Sequence, residues 1–485
     1  MQLLKRYFHV LFIILNIQCG DRSKPDSALI EDSVRFLTAN MRSHVGQEKK
    51  FLDVSGRDRT YEVENYRGSL TAKELLDSLR VYPYIETIHD TLILGERDIL
   101  ETVRERVDVY RNPILPQLKD YPLDIFFDYI LPYRVGMEKY HDWRTYMKNK
   151  YVSYLATFSL ETMSIKDISQ AITLEQEGFG GYASNRKLQV NRPSRNQTVH
   201  QIQRIKMAFD CEDFAIRSLY AHRAVGIPAA YEIIPLWGKF NYGHVQASVF
   251  FEDGKFYPIQ FGDTVPFKYQ IAKMYRRTFR SQVNPFHEIR KLGEQEYNIP
   301  SIFNHSDWID VTSERTDVAD VAFENRNYAL NVAYIAVYNA GYWKPIEWSK
   351  LERTSDSFIF CAMGAKILYQ IVGYRKGSML TLGAPFALNV DGKLDWFKPV
   401  GRRVKAKLHY SDRHTQIQEN SSYILYCWDS QVGRWQQIQR SKAKNSYFET
   451  IKIDVGNLYK LESDNVNLGD PVRPFTVNAE GQKWW

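Results

Sequence analysis

The chain is poor in cysteine, with four in 485 residues. No Cys-x-x-Cys or His-x-x-x-His spacing of the kind that builds zinc sites occurs. A metal centre therefore has no support, and neither metal nor cofactor is expected. Long runs of lysine and arginine are also missing: the net charge of +7 is spread along the chain, which argues against a nucleic-acid partner. Beyond the N-terminal twenty or so residues there is no apolar stretch of the ~18 residues that a spanning helix needs. Internal repeats and low-complexity tracts are absent as well.

What is present describes a large globular chain. A hydrophobic share of 44% with 25% charged residues suits about three domains. Aromatic residues reach 14%, with 32 tyrosines; this fits β-rich packing, and exposed rings would also suit stacking on sugars. At the N-terminus Lys5-Arg6 precede an apolar stretch from Tyr7 to Ile17, too short to span a bilayer and shaped like a secretory signal. Cys19-Gly20 follows directly, as at the acylated cysteine of a bacterial lipoprotein, although Asn16-Ile17-Gln18 departs from the usual small-residue pattern. The expectation is export, with lipid on Cys19 holding the chain at a membrane of the cell envelope, periplasmic or surface.

Four segments are expected. Residues 1–19 are the signal with Cys19. Residues 20–190 read as helical, with a capping box at Thr71-Ala72-Lys73-Glu74 and amphipathic stretches at Ile99 to Tyr110 and Pro122 to Tyr133. The polar stretch Gly178 to Gln197 is a linker or a loop. Residues 191–295 form an α+β core. From 300 to 485, short apolar or alternating runs (Ala329 to Tyr338, Phe358 to Met363, Lys366 to Gly373, Tyr423 to Trp428) are separated by turn residues and read as an antiparallel β-sandwich. There Cys361 and Cys427 fit either a disulfide in an oxidising compartment or two buried thiols on different strands.

The chemistry concentrates after Asp210. Asp210 is a good N-cap for a helix that stops at Gly226-Ile227-Pro228, which puts Cys211 in the first turn, where unpaired N–H groups and the helix dipole favour the thiolate. Glu212 and Asp213 oppose that effect by raising the thiol pKa. Cys211 also lies near an apolar stripe with Phe214, Ala215, Ser218 and Leu219, so a buried small residue is the competing reading. His222, eleven residues on, is roughly 16 Å away along the helix and out of reach as a base. His244 is better placed. It opens a strand that runs to Glu252 and returns through Asp253-Gly254, a strong hairpin signal. With a two-residue turn Glu252 faces Lys255 and His244 faces Asp263, close enough for the carboxylate to orient the imidazole; a three-residue turn would put Gly262 there instead.

Cys211-Glu212-Asp213, Arg223 to Pro228, Gly243-His244 and Asp253-Gly254-Lys255-Phe256-Tyr257-Pro258 together resemble the transglutaminase-like core, over roughly residues 195 to 285. Ile130 to Arg134, Asp142-Trp143-Arg144, Ala272 to Arg276 and Asp310-Val311-Thr312 are similar to the flanks of that core in secreted bacterial transglutaminase-domain lipoproteins. The resemblance implies a papain-like α+β core and a Cys211, His244, Asp263 triad. It departs at Gln246, where the family has an aromatic residue, and at Gln260, where simple spacing would put the family's acid. Gln260 is thus the alternative orienter to Asp263, and Gln201 and Gln203 are candidate oxyanion donors.

Two functions follow from this reading. In the first, Cys211, His244 and Asp263 perform acyl transfer or amide hydrolysis on a peptide, protein or glycopeptide. In the second, the core is inactive and the chain is a cell-envelope protein that binds peptide or glycan.

Overall fold

The computed structural model describes residues 24–64, 72–118, 121–138, 140, 143–177, 211–259, 270–325, 329–409, 417, 419–444, 447–464, 472–478 and 481–485. Helix and strand are mixed, and the sheets are antiparallel. The chain divides into two compact units, the first made of residues 1–232, 245–265 and 277–281, the second of 233–244, 266–276 and 282–485.

The first unit carries helices α1 (Asp26–Asn40), α2 (Thr60–Glu64), α3 (Ala72–Leu79), α4 (Glu96–Arg111), α5 (Leu123–Tyr129), α6 (Arg144–Leu155), α7 (Ile165–Glu177) and α8 (Cys211–Ala224). The amphipathic stretch expected from Ile99 forms α4, which buries Ile99, Val103, Arg106, Val107 and Tyr110 at helical spacing. Its Gly95 start is closed by Asp98, whose carboxylate accepts the Gly95 N–H at 2.9 Å. The region expected to be helical also holds a two-stranded ribbon, β1 (Val45–Asp53) paired with β2 (Val81–His89) over nine rungs. Its charged residues Glu48, Lys49 and Lys50 hide the strand alternation in the sequence. Thr71 and the segment Gly178 to Gln197 lie outside the described residues.

Helix α8 is the axis of this unit. Residues Asp213 to Ala224 are all buried, with Trp143 packed 4.2 Å from Tyr220 between ring centroids. Each fully buried large apolar side chain stabilises by about 1.5–3 kcal/mol, so the helix is fixed by packing more than by propensity. Beside it β4 (His244–Phe250) lies between β3 (Ala229–Ile234) and β5 (Phe256–Ile259). A buried charge network closes the unit. Arg134 lies 2.9 Å from Asp90, and Tyr133 donates to Asp90 at 2.6 Å. Glu138 accepts the Val135 and Gly136 N–H groups at 2.7 and 2.6 Å and the Tyr220 hydroxyl. Burial alone would raise the Glu138 carboxyl, but Arg134 and these donors outweigh it and hold it below the usual range.

The second unit contains β6 (Tyr275–Arg277), helix α9 (Pro285–Lys291), β7 (Trp308–Asp310) and an eight-stranded sheet. Its strands are β8 (Val318–Glu324), β9 (Val332–Asn339), β10 (Tyr342–Glu352), β11 (Ser357–Gly364), β12 (Ile367–Arg375), β13 (Ser378–Thr381), β14 (Phe386–Leu388) and β15 (Leu394–Trp396). Every residue of β9 is buried, and β9 runs between β10 and β12. One face of it, Ala333, Ile335 and Val337, joins a cluster with Phe358, Phe360 and Ile371. The other, Val332, Tyr334, Ala336 and Tyr338, packs with Trp343, Trp428, Leu458 and Trp485. Burial on both faces explains why β9 reads as a near-continuous apolar run rather than an alternation.

Trp428 and Leu458 belong to a five-stranded sheet of segments Ser422–Asp429, Arg434–Lys442, Leu458–Ser463, Phe475–Asn478 and Gly481–Trp484. The runs expected as strands beyond residue 300 are therefore strands. Of the two readings for Cys361 and Cys427, the disulfide is not formed: both are free, on β11 of one sheet and on Ser422–Asp429 of the other, and Cys361 is exposed rather than buried.

Candidate functional site

Cys211 is the first residue of α8 and half-buried, in the helical turn the sequence assigns to it. The positive end of a helix favours the thiolate form of a cysteine at that place. Two carboxylates follow at once. Asp213 is buried, while Glu212 accepts a hydrogen bond from the Tyr231 hydroxyl of β3 at 3.3 Å, which disperses part of its negative charge. Asp210 lies outside the described residues. His222 is excluded as a base by burial as well as by distance: it is 0% exposed and its Nδ1 lies 2.7 Å from the Ser218 carbonyl.

His244 is counted in the second unit, as the first residue of β4. Its ring stacks on Trp237, 5.7 Å between centroids and 25° from parallel. Burial lowers its pKa, so the imidazole is neutral near pH 7, the form a general base needs. Among the described residues no side-chain hydrogen bond reaches this ring. Gly243 makes the approach possible, because a Cβ there would fall 2.4 Å from the Pro235 carbonyl oxygen.

The loop leading to His244 is held by a residue that sequence reasoning missed. Asn339, the last residue of β9 and 0% exposed, bonds both backbone groups of Tyr242 and donates to the Phe240 carbonyl at 3.0 Å. Arg473 donates to the Gly238 carbonyl of the same loop at 2.6 Å. A buried asparagine ending an apolar strand is the signal the sequence offered; its partners lie about a hundred residues upstream.

The hairpin corrects the expected register. Phe250 pairs with Phe256 and Ala247 with Ile259, the Phe251 N–H donates to the Lys255 carbonyl at 2.9 Å, and Gly254 takes φ +79°. The loop is thus three residues, Glu252-Asp253-Gly254, closed by a left-handed glycine, and Lys255 stands opposite Phe251 rather than Glu252. The two-residue turn that placed Asp263 opposite His244 does not hold in the described hairpin. Asp263 itself, with Gln260, Gln201, Gln203 and Cys19, lies outside the described residues.

Gln246 has a structural reason. Its amide donates to Glu232 at 3.0 Å, and the Ser248 hydroxyl donates to the same carboxylate at 2.5 Å. Glu232 is 0% exposed, and a buried carboxylate requires such donors. An aromatic residue at 246 would remove one.

Among the described residues no group of histidine, cysteine, aspartate and glutamate has the geometry to hold a metal ion, and no helix is long and apolar enough to cross a membrane. No family model matches the chain, and no curated protein matches it.

Proposed function

We propose that this chain is a thiol enzyme with a transglutaminase-like (papain-like) α+β core and a C-terminal β-sandwich, exported and held at a membrane by lipid on Cys19. It acts on an amide of a peptide, protein or glycopeptide. Cys211 attacks the amide carbon while His244 takes the thiol proton, giving a tetrahedral intermediate whose oxyanion is met by the Cys211 N–H. His244 then returns the proton to the leaving nitrogen as the C–N bond breaks, and water or an amine releases the acyl group from sulfur. Asp263, or Gln260 through its amide, orients His244.

The observation that carries this reading is the place of Cys211, half-buried at the start of a helix that is enclosed from Asp213 onward. A cysteine serving only as packing belongs in the enclosed part, whereas a nucleophile needs the exposed, positive end. The test is alkylation by iodoacetamide at pH 7 with mass spectrometry of each site. Cys211 should react at least tenfold faster than Cys361 and Cys427, and Cys211→Ser should abolish turnover of an amide library while leaving substrate binding intact. A Cys211 no faster than a free model thiol, together with no product from the library, would overturn the proposal in favour of a binding protein.

A further inference from the structure

In the second unit a buried tryptophan gathers cations. Trp485 is 7% exposed and packs on Phe397 at 5.0 Å between ring centroids. Its polar groups pin it: the backbone N–H donates to the Pro474 carbonyl at 2.9 Å, the indole N–H donates to the Thr476 hydroxyl at 3.2 Å, and the carbonyl accepts from Arg473 Nε at 2.9 Å. Two ammonium groups lie against this fixed ring, Lys483 Nζ at 4.3 Å and Lys239 Nζ at 5.7 Å from its centroid, both within cation–π range. The two charges are thereby held within about 10 Å of each other, the screening length at ~0.1 M salt.

Two further cations border the same loop. Arg473 donates to the carbonyls of Gly238 and Tyr338. The Ile367 side chain fills the space that a side chain at 238 would need, which brings Lys366 alongside Lys239. Lys366 and Lys483 are exposed and Lys239 is half-buried, so an ion from solvent can reach all three.

No opposite charge answers the three lysines. Among the described residues none of them forms an ion pair or a side-chain hydrogen bond. Asp317, whose carbonyl accepts the Ala365 N–H, does not pair with Lys366. Burial lowers the Lys239 pKa, and Lys483, Lys366 and Arg473 lower it further, with no carboxylate acting the other way. Like charges kept together repel, and a bound anion relieves that repulsion.

Charge selects the ligand. Attraction scales with the product of the charges, so a doubly charged ion gains about twice what a singly charged one gains from the same cations. Each ammonium also carries three N–H donors, which a group rich in oxygens can accept. Lysine has no planar fork to favour a flat carboxylate, and the flexible stems of Lys366 and Lys483 can turn toward an ion seated at Lys239.

We propose that Lys239, Lys366 and Lys483 form a site beside Trp485 for a doubly charged oxyanion, a phosphate or sulfate group. The site does not rest on the function proposed above.

The test uses the full chain. Inorganic phosphate, sulfate and acetate are titrated into it by calorimetry at pH 7 and constant ionic strength. Both tetrahedral ions should saturate a single site and bind about tenfold more tightly than acetate. Lys239→Gln, Lys483→Gln and Lys366→Asn should each weaken them at least fivefold; asparagine suits the left-handed backbone of Lys366, φ +62°. Lys350→Gln, which removes the same charge from β10, should change nothing. Lys483→Arg should keep the affinity within about threefold, since the charge remains. Absence of saturation, acetate binding as tightly as sulfate, equal losses in Lys350→Gln, or a Lys483→Arg variant as weak as Lys483→Gln overturns the site. Vesicles of phosphatidylcholine containing phosphatidic acid distinguish the source of the group. Co-sedimentation that Lys239→Gln and Lys483→Gln abolish supports the site with a lipid headgroup as its ligand, and saturation by the free ions without co-sedimentation supports it with a soluble one.

Discussion

Asn339 grips Tyr242 by both of its backbone groups: Oδ1 accepts the Tyr242 N–H at 2.8 Å and Nδ2 donates to the Tyr242 carbonyl at 2.9 Å. Tyr242 has φ +66°, a left-handed conformation that costs a non-glycine residue about 1–2 kcal/mol, and two residues later the chain enters β4 at His244. Asn339→Ala should lower stability by about 1–3 kcal/mol, and Asn339→Asp, which puts a carboxylate oxygen against the Tyr242 and Phe240 carbonyls in a buried site, by more. Urea unfolding of the two variants measures the order. If turnover falls further than stability in Asn339→Ala, the clamp also positions His244.

The two glycines of this region should respond differently to the same change. A Cβ at Gly254 meets nothing within 4 Å but must adopt φ +79°, so Gly254→Ala should cost about 1 kcal/mol. At Gly243 the added carbon meets the Pro235 carbonyl oxygen at 2.4 Å, and backbone has to move. Gly243→Ala should therefore be the more destabilising substitution in a thermal melt, and the one that displaces the His244 ring resonances in NMR.

His222 sets a pH dependence whose sign is fixed by burial. Burial drives its pKa down to about 4, against about 6.5 for an exposed histidine. The unfolded chain takes up the proton first, so this contribution is complete above about pH 6.5 and lost as pH falls toward 4, by about 3 kcal/mol in total. His222→Gln should flatten the slope of unfolding free energy between pH 7 and pH 4.5. An unchanged slope would mean that the ring is neutralised in some other way.

Asp263 and Gln260 compete for one role. Asp263→Asn should reduce kcat strongly with little change in melting temperature if the carboxylate steadies the developing imidazolium, and Gln260→Ala should then matter less. The three-residue loop at Gly254 makes the comparison sharper, since the register on which Asp263 was chosen is not the one the hairpin adopts. The opposite order of effects assigns the orienting group to Gln260.

The parts of the fold that were legible in the sequence are those written locally. The start of α8 at Cys211 follows from the Asp-Cys-Glu-Asp run, and the strand at His244 from the run beyond Gly243. The strands β9, β11 and β12 follow from apolar runs cut by turn residues. The hairpin register was missed by one residue because Asp-Gly serves both two- and three-residue loops, and only the Phe251 to Lys255 bond distinguishes them. The ribbon of β1 and β2 was missed because its charged residues break the alternation. The grip of Asn339 was out of reach for a different reason: it joins segments far apart in the chain, and no spacing rule links Tyr242 to Asn339.

The burial of β9 on both faces has a kinetic corollary. Its amides have neighbours on either side in β10 and β12 and no solvent-facing surface through which a partial opening could start, so they should exchange hydrogen for deuterium only on global unfolding. Asn339 is the last residue of that strand. The Tyr242 N–H, although in a loop and on a half-exposed residue, is bonded to it, and should exchange nearly as slowly as β9 itself, while the Asp253-Gly254 amides at the far end of β4 exchange quickly. The approach to His244 would then be built from the most slowly opening part of the molecule, so that the imidazole keeps its place while whatever enters from solvent does the moving.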